Sequence, residues 1–182
     1  MEIYTCDPNL EVMGFVPLAF FGNLDSDVLD PILRNLRIDI RQFKPEGWYK
    51  TQDVLDILRQ LQEYEGTLFA YVAFGKRAAE TASLPPEAAS LPFVDFLVNF
   101  EKLFPARYRN GSPGYCRCQK VSDTCAILRY HIPYPDDVFY GMFYGYARRL
   151  LPKGTHVTVS YESNDQRRDF GAQETVLRIS WE

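Results

Sequence analysis

The sequence predicts an α+β fold, with a helical N-terminal half packed on a C-terminal antiparallel sheet in β-β-α-β-β order. Three observations carry this expectation. Up to Phe104 the apolar residues recur mostly at helical spacing. After the turn-rich stretch "RNGSPG" they alternate with period two, as half-buried strands do. One long aromatic helix then interrupts the strands, so a helix layer over an antiparallel sheet is the expected architecture. A chain of 182 residues can fill one core. It is therefore read as a single domain over 1–182, with a mainly helical half over 1–90 and a helix plus β-β-α-β-β half over 91–182.

The elements follow in order. Residues 1 to 24 are apolar but irregular, and fit short extended or helical pieces. In "DSDVLDPILRNLRI" Asp25 or Ser26 caps a helix whose apolar side is Val28, Leu29, Ile32, Leu33 and Leu36. In "YKTQDVLDILRQLQEYEG" Thr51 is the N-cap, Val54, Leu55, Leu58, Leu61 and Gln62 keep helical spacing, and Gly66 closes the helix. Residues 67 to 82 read as a further apolar helix. "SLPPEAASLP" reads as a linker. Residues 91 to 104 form a helix with the stripe Phe93, Phe96, Leu97, Phe100 and Phe104.

"YCRCQKV" and "TCAILRYHI" read as a hairpin turning at Ser122-Asp123. "GTHVTVSYES" and "QETVLRISWE" read as a second hairpin across the polar loop "NDQRRDFG". Between them lies "YPDDVFYGMFYGYARRLLP". Pro135 suits a first helical position, Asp136 and Asp137 favour the positive end of the helix, and Arg148 and Arg149 favour its negative end. Phe139, Met142, Phe143, Tyr146 and Leu150 share one face, with Gly141 and Gly145 on an adjacent strip. Two interior glycines each cost on the order of 1 kcal/mol relative to alanine, so a close approach has to offset them. Helix-on-sheet packing is the first account of that approach, and a flat ligand resting on the groove is the second.

Composition excludes several functions. A formal charge of −4 and a pI near 5.3 supply no basic field for nucleic acid or an anionic membrane. No apolar stretch reaches the roughly 18 to 20 residues that span a bilayer, and the start lacks a signal-peptide pattern, so a cytoplasmic location is expected. Four cysteines then read as free thiols. Cys116, Cys118 and Cys125 are the candidate metal ligands, since a Lys120–Cys125 pairing would place all three on one sheet face with Arg129 and His131. However, a C-x-C on a regular strand holds its sulfurs roughly 6 to 7 Å apart, which favours core packing over zinc.

Neither His131 nor His156 stands in a triad or metalloprotease motif, and no phosphate-binding loop is present, so no enzyme is expected. His131 reads as an imidazole held by a nearby carbonyl. Trp48 and Trp181 read as anchors at the edge of the core, and Arg167-Arg168 as a solvated face.

The element order, ending in "turn–strand–turn–strand–YPDD–helix with spaced glycines–strand–strand–W", resembles one superfamily over residues 45 to 182. It comprises haem nitric-oxide/oxygen sensor domains, vinyl-reductase-type small-molecule-binding domains and the core subunits of TRAPP vesicle tethers. The tail is also similar to a paralogous set of uncharacterised myxobacterial proteins, which points to a bacterial source. Haem sensors carry a proximal histidine on the helix before the hairpin and a Tyr-x-Ser-x-Arg motif for the propionates. Here the tyrosine falls at Tyr130, the serine position is Ile132, the arginine position is Tyr134, and no histidine precedes His131. The resemblance therefore implies the fold with the haem site not retained, and neither haem nor zinc is expected as a cofactor.

What it implies is a non-enzymatic regulatory or sensor module. A small apolar or aromatic ligand would enter a cavity between the helical half and the sheet, lined by Phe96, Phe100, Tyr130, Phe139, Phe143, Gly141 and Gly145. The alternative is a TRAPP-like interaction adaptor with a filled core and a face for a homodimer or a signalling partner.

Overall fold

The computed structural model describes residues 3–22, 24–63 and 71–182. Strand β1 (Glu11–Met13) is the centre of a small antiparallel sheet, flanked by β2 (Trp48–Lys50) and β3 (Tyr108–Arg109). Val12 stands opposite both Tyr49 and Tyr108. Strands of two or three residues are too short to display a period-two pattern, so their partners define them, not their own residues.

Within the irregular apolar start lies α1 (Phe15–Phe21), and α2 (Ser26–Leu36), α3 (Thr51–Glu63) and α4 (Tyr71–Thr81) follow the apolar spacing. Asp25 caps α2 by accepting from the Asp27 N–H at 3.0 Å. Thr51 is the first helical residue of α3 and is fully buried. The Gly66 stop and residues 67–70 lie outside the described residues. "SLPPEAASLP" is more than a linker: Pro86–Ala89 forms one helical turn, α5, and buries Ala88 against the core. In α6 (Phe93–Leu103), Phe93, Phe96, Leu97 and Phe100 all point inward.

The larger sheet has the order β4-β5-β7-β6, with every neighbour antiparallel, formed by β4 (Tyr115–Ser122), β5 (Cys125–His131), β6 (Val157–Tyr161) and β7 (Thr175–Trp181). The long helix α7 (Asp136–Leu150) connects β5 to β6, and Pro135 precedes it as N-cap with an extended ψ of 142°. One buried apolar cluster runs from Val12 to Ile179 and joins both halves of the chain. Trp181 meets Phe93 edge-on at 5.0 Å, at the rim of that core. Trp48 stacks under the Arg109 guanidinium at 4.5 Å.

The hairpin register differs from the expectation. Lys120 faces Ala126, not Cys125, because a bulge between Lys120 and Ser122 adds one residue to β4, and the turn falls at Asp123-Thr124. A slip of one residue turns a strand over. Cys116 and Cys118 therefore share the inner face with Leu128 and Tyr130, while Cys125 lies on the outer face with Arg129 and His131.

The glycines of α7 do meet a close neighbour, but it is a helix and not the sheet. A Cβ on Gly141 would lie 1.9 Å from the Val72 carbonyl oxygen, and one on Gly145 would lie 2.6 Å from that of Lys76. Reciprocally, a Cβ on Gly75 of α4 would lie 1.9 Å from the Val138 carbonyl oxygen. Helices α4 and α7 thus touch backbone to backbone, which is the offset that the interior glycines require. Among the described residues no helix is long and apolar enough to cross a membrane.

Candidate functional site

The seven residues expected to wall a cavity are all buried, and the five rings among them pack against one another. Phe100 meets Phe143 edge-on at 5.1 Å and Phe139 at 6.4 Å, and Phe96 lies 6.2 Å from Phe100. Tyr130 lies 5.3 Å from Phe139 and is fully buried. Gly141 and Gly145 face α4, as described above. These rings form a packed aromatic layer between α6, α7 and the sheet.

A concave site does lie between the two halves, at the front end of α7. It has a volume of about 450 Å³, within the roughly 300–1,000 Å³ of small-molecule sites. The helical half contributes Tyr4, Gln62 and Tyr71, and the sheet half contributes Asp137, Arg167, Asp169 and Phe170.

The sheet side is held by a buried ionic cluster. Asp136 is fully buried at the first turn of α7, where its charge suits the helix dipole. Its carboxylate accepts from the Thr175 hydroxyl at 2.6 Å and from the Asp169 N–H at 3.0 Å. In return the Asp136 N–H donates to both oxygens of Asp169, at 3.1 and 3.2 Å. Arg167 reaches all three carboxylates, with nitrogens 3.7 Å from Asp136, 3.0 Å from Asp137 and 3.4 Å from Asp169. Its guanidinium also lies over the rings of Tyr161, at 3.9 Å, and Phe170, at 4.8 Å. The Tyr161 hydroxyl donates to Asp137 at 2.7 Å. Burial, then the adjacent charge of Asp136, pushes the Asp169 carboxyl up to about 6.

On the helical side the hydroxyls of Tyr71 and Tyr4 lie 2.7 Å apart, and Tyr4 donates to Gln62 Oε1 at 2.6 Å. Burial raises both phenols above their ordinary value, and the negative charge of Asp169 adds to the shift. Tyr4 itself sits at φ 63°, in the left-handed region that a tyrosine rarely adopts. Two bonds hold it there: its N–H donates to the Pro133 carbonyl at 2.8 Å, and Gln52 donates to its own carbonyl at 2.9 Å. Backbone held in this way clusters at ligand sites.

Arg167-Arg168 is therefore corrected from a solvated face to part of this site. Arg168 is buried, and the Arg167 side chain is only 12% exposed. A polar loop sequence contains nothing that marks its arginines for burial; the signal was "DD" at the start of the helix, which requires compensating cations once it is buried. His131 does lie against a carbonyl, with Nδ1 2.5 Å from the Gln173 oxygen. Among the described residues no group of three or more His, Cys, Asp and Glu side chains converges to hold a metal.

No protein-family model matches the chain, and no curated protein matches it by sequence. Solved structures do. An H-NOX protein from S. oneidensis in the Fe(II)NO ligation state superposes with a TM-score of 0.72 at 15% identity, over 93% of this chain and 99% of that one. An oxygen-binding H-NOX domain related to soluble guanylate cyclases gives 0.69 at 16% identity, over 93% and 92%. The fold is that of the H-NOX domains.

The H-NOX likeness covers both halves, including the helical front. It also corrects the expectation of no cofactor. The H-NOX family is one in which haem distortion is studied, so an H-NOX fold brings haem in as a candidate group. The residues of this chain do not fit haem in the manner of the sensor pattern. Helix α6 turns Phe93, Val94, Phe96, Leu97 and Phe100 to the core and carries no imidazole. By the sequence resemblance Ile132 and Tyr134 take the serine and arginine positions; both are buried, and Tyr134 accepts from the Tyr108 hydroxyl at 3.0 Å.

Proposed function

We propose that this chain is a non-enzymatic regulatory module that binds a small ligand between its helical half and its sheet, and that the ligand is read at the polar pocket in front of α7. The observation that carries this reading is the composition of the pocket wall. Tyr4, Gln62 and Tyr71 come from one half, and Asp137, Arg167, Asp169 and Phe170 come from the other. A molecule in contact with both walls favours one spacing of the halves over another, and that differential affinity is what a sensor needs. The aromatic layer of Phe96, Phe100, Tyr130, Phe139 and Phe143 lies behind the pocket. It would transmit a shift of α7 to the sheet, because packed rings move as a body.

Solved neighbours of the same fold bind nitric oxide and oxygen, which supports a sensor in the broad sense. Haem stays a candidate through the fold alone.

Native mass spectrometry of freshly purified protein, with an absorption spectrum of the same sample, tests the proposal. A bound mass that is lost on denaturation and absent from a Phe170→Ala, Asp137→Asn variant supports it. A bound mass unaffected by those changes, or a Soret band, moves the ligand away from the polar pocket.

A second reading, the interaction adaptor, is favoured by the filling of the aromatic layer with side chains. A stable homodimer in solution by light scattering, with a bare-chain mass for each protomer, would favour it over the sensor.

A further inference from the structure

We propose that the pocket between Tyr4, Tyr71 and the 167–170 loop takes a small organic ammonium ion. The inference rests on the reading of that pocket as a ligand site and adds the chemistry of the ligand.

Charge balance is the first argument. The carboxylates of Asp136, Asp137 and Asp169 converge on Arg167, and Arg168 lies within the field of Asp136 and Asp169. Three carboxylates against two guanidinium groups leave one negative charge in excess. Burial, and after it the adjacent charge of Asp136, holds the Asp169 carboxyl up to about 6. A cation entering the pocket would relieve the excess and lower that value again.

The engagement of Arg167 is the second argument, because a free arginine would favour an anion instead. Arg167 lies within 4 Å of all three carboxylates, at 3.0, 3.4 and 3.7 Å, and its face covers Tyr161 and Phe170. An incoming carboxylate or phosphate would have to displace an acid already in place, and would sit beside the remaining two.

The lining is the third argument. Phe170 is 67% exposed and stands at the pocket with the rings of Tyr4 and Tyr71. Aromatic faces beside a carboxylate recognise alkylammonium groups by cation–π attraction. Asp137 Oδ1 accepts from Tyr161 and Arg167, and among the described residues nothing donates to Oδ2, which is open to a ligand N–H. A bare metal ion fits less well, because the oxygens of Asp136 and Asp169 are already engaged with main-chain and side-chain donors.

Calorimetric titration of the whole chain at pH 7.5 with putrescine, butanediol and succinate tests the charge, because the three share a four-carbon frame. Putrescine is expected to bind and the other two are not. Asp137→Asn should weaken putrescine by roughly tenfold, and Phe170→Leu, which leaves the ionic cluster intact, by several-fold. Circular dichroism of each variant confirms that the fold is kept. Succinate binding in place of putrescine would overturn the charge assignment and leave the pocket reading standing. Binding by none of the three, at millimolar concentration, would also overturn the ammonium proposal, and the pocket reading would then stand or fall on the native mass. Putrescine binding that survives both substitutions would place the ammonium ion elsewhere and overturn the proposal as well.

Discussion

Asp136 and Asp169 hold each other by a reciprocal clamp: the N–H of each donates to the carboxylate of the other, at 3.0 to 3.2 Å. The two residues lie 33 positions apart, one opening α7 and the other in the loop between β6 and β7. Two like charges brought this close repel, and the clamp persists because Arg167, Thr175 and the main-chain donors surround it.

Removing Asp136 should be severe. Asp136→Ala leaves Arg167 with one carboxylate fewer and orphans the Thr175 hydroxyl and the Asp169 N–H. Breaking a buried pair costs about 3–5 kcal/mol. Urea denaturation should show a loss of that order, and Thr175→Val a smaller one. A loss below about 1 kcal/mol, the range of an exposed pair, would mean that the cluster is solvated in solution.

The titration of Asp169 sets a pH dependence whose sign is opposite to that of a usual salt-bridged carboxylate. Its folded pKa of about 6 lies above the unfolded value of about 3.9. Between those values the folded chain holds more protons than the unfolded chain, so this group adds stability as pH falls through that window. The groups facing it are Asp136 and Asp137 on α7, Arg167 and Arg168 beside it, Tyr4 and Tyr71 across the pocket, and Tyr130 in the core behind it. Wild type should therefore gain on Asp169→Asn as pH drops from about 7 to about 5, measured by urea midpoints. A constant difference would contradict the shift. Putrescine affinity should fall over the same range, as the carboxylate is lost.

Alanine at the helix contact should destabilise even though alanine is the better helix former. Gly141→Ala and Gly75→Ala each place a methyl 1.9 Å from a main-chain carbonyl oxygen, which cannot swing away as a side chain would. Overpacking of this kind costs about 1–3 kcal/mol or more, against a propensity gain of about 1 kcal/mol. Gly145→Ala, at 2.6 Å, should cost less. Thermal melts of the three variants give the order, and a rise in midpoint for Gly141→Ala would show that α4 and α7 stand further apart.

Much of the fold was legible in the sequence, and the site was much less so. The helices at Asp25, Thr51 and Phe93 have strong spacing or caps, and the β-β-α-β-β tail has its punctuation. The bulge after Lys120 was not legible, because an extra residue in a strand looks like any other until its partner is known, and it moved Cys125 to the opposite face. The partner of Gly141 was not legible for the same reason: a glycine announces a close neighbour without saying which one. Arg167 was hidden by its setting, since a charged loop reads as solvated and only the fold brings it to Asp136. The aromatic residues had the reverse problem, as the stripe that packs a core is also the stripe that would line a cavity.

The thiols should differ in reactivity with the same geometry. Burial raises Cys116 well above the ordinary thiol range and pushes Cys118 up to about 12. Alkylation of the native protein at pH 8, followed by peptide mapping, should leave Cys116 and Cys118 unmodified and modify both after unfolding. Rapid native modification of Cys116 would contradict the inner-face register.

The most direct measurement is NMR shift mapping of the isotope-labelled chain with putrescine, including the side-chain Nε–H of Arg167. Saturable shifts are expected at Tyr4, Gln62, Tyr71, Asp137 and Arg167 to Phe170, on both walls of the polar pocket at once. Shifts centred on Phe96, Phe100 and Phe143 would place the ligand in the aromatic layer, and the absence of saturable shifts at both walls would rule out a ligand in the polar pocket.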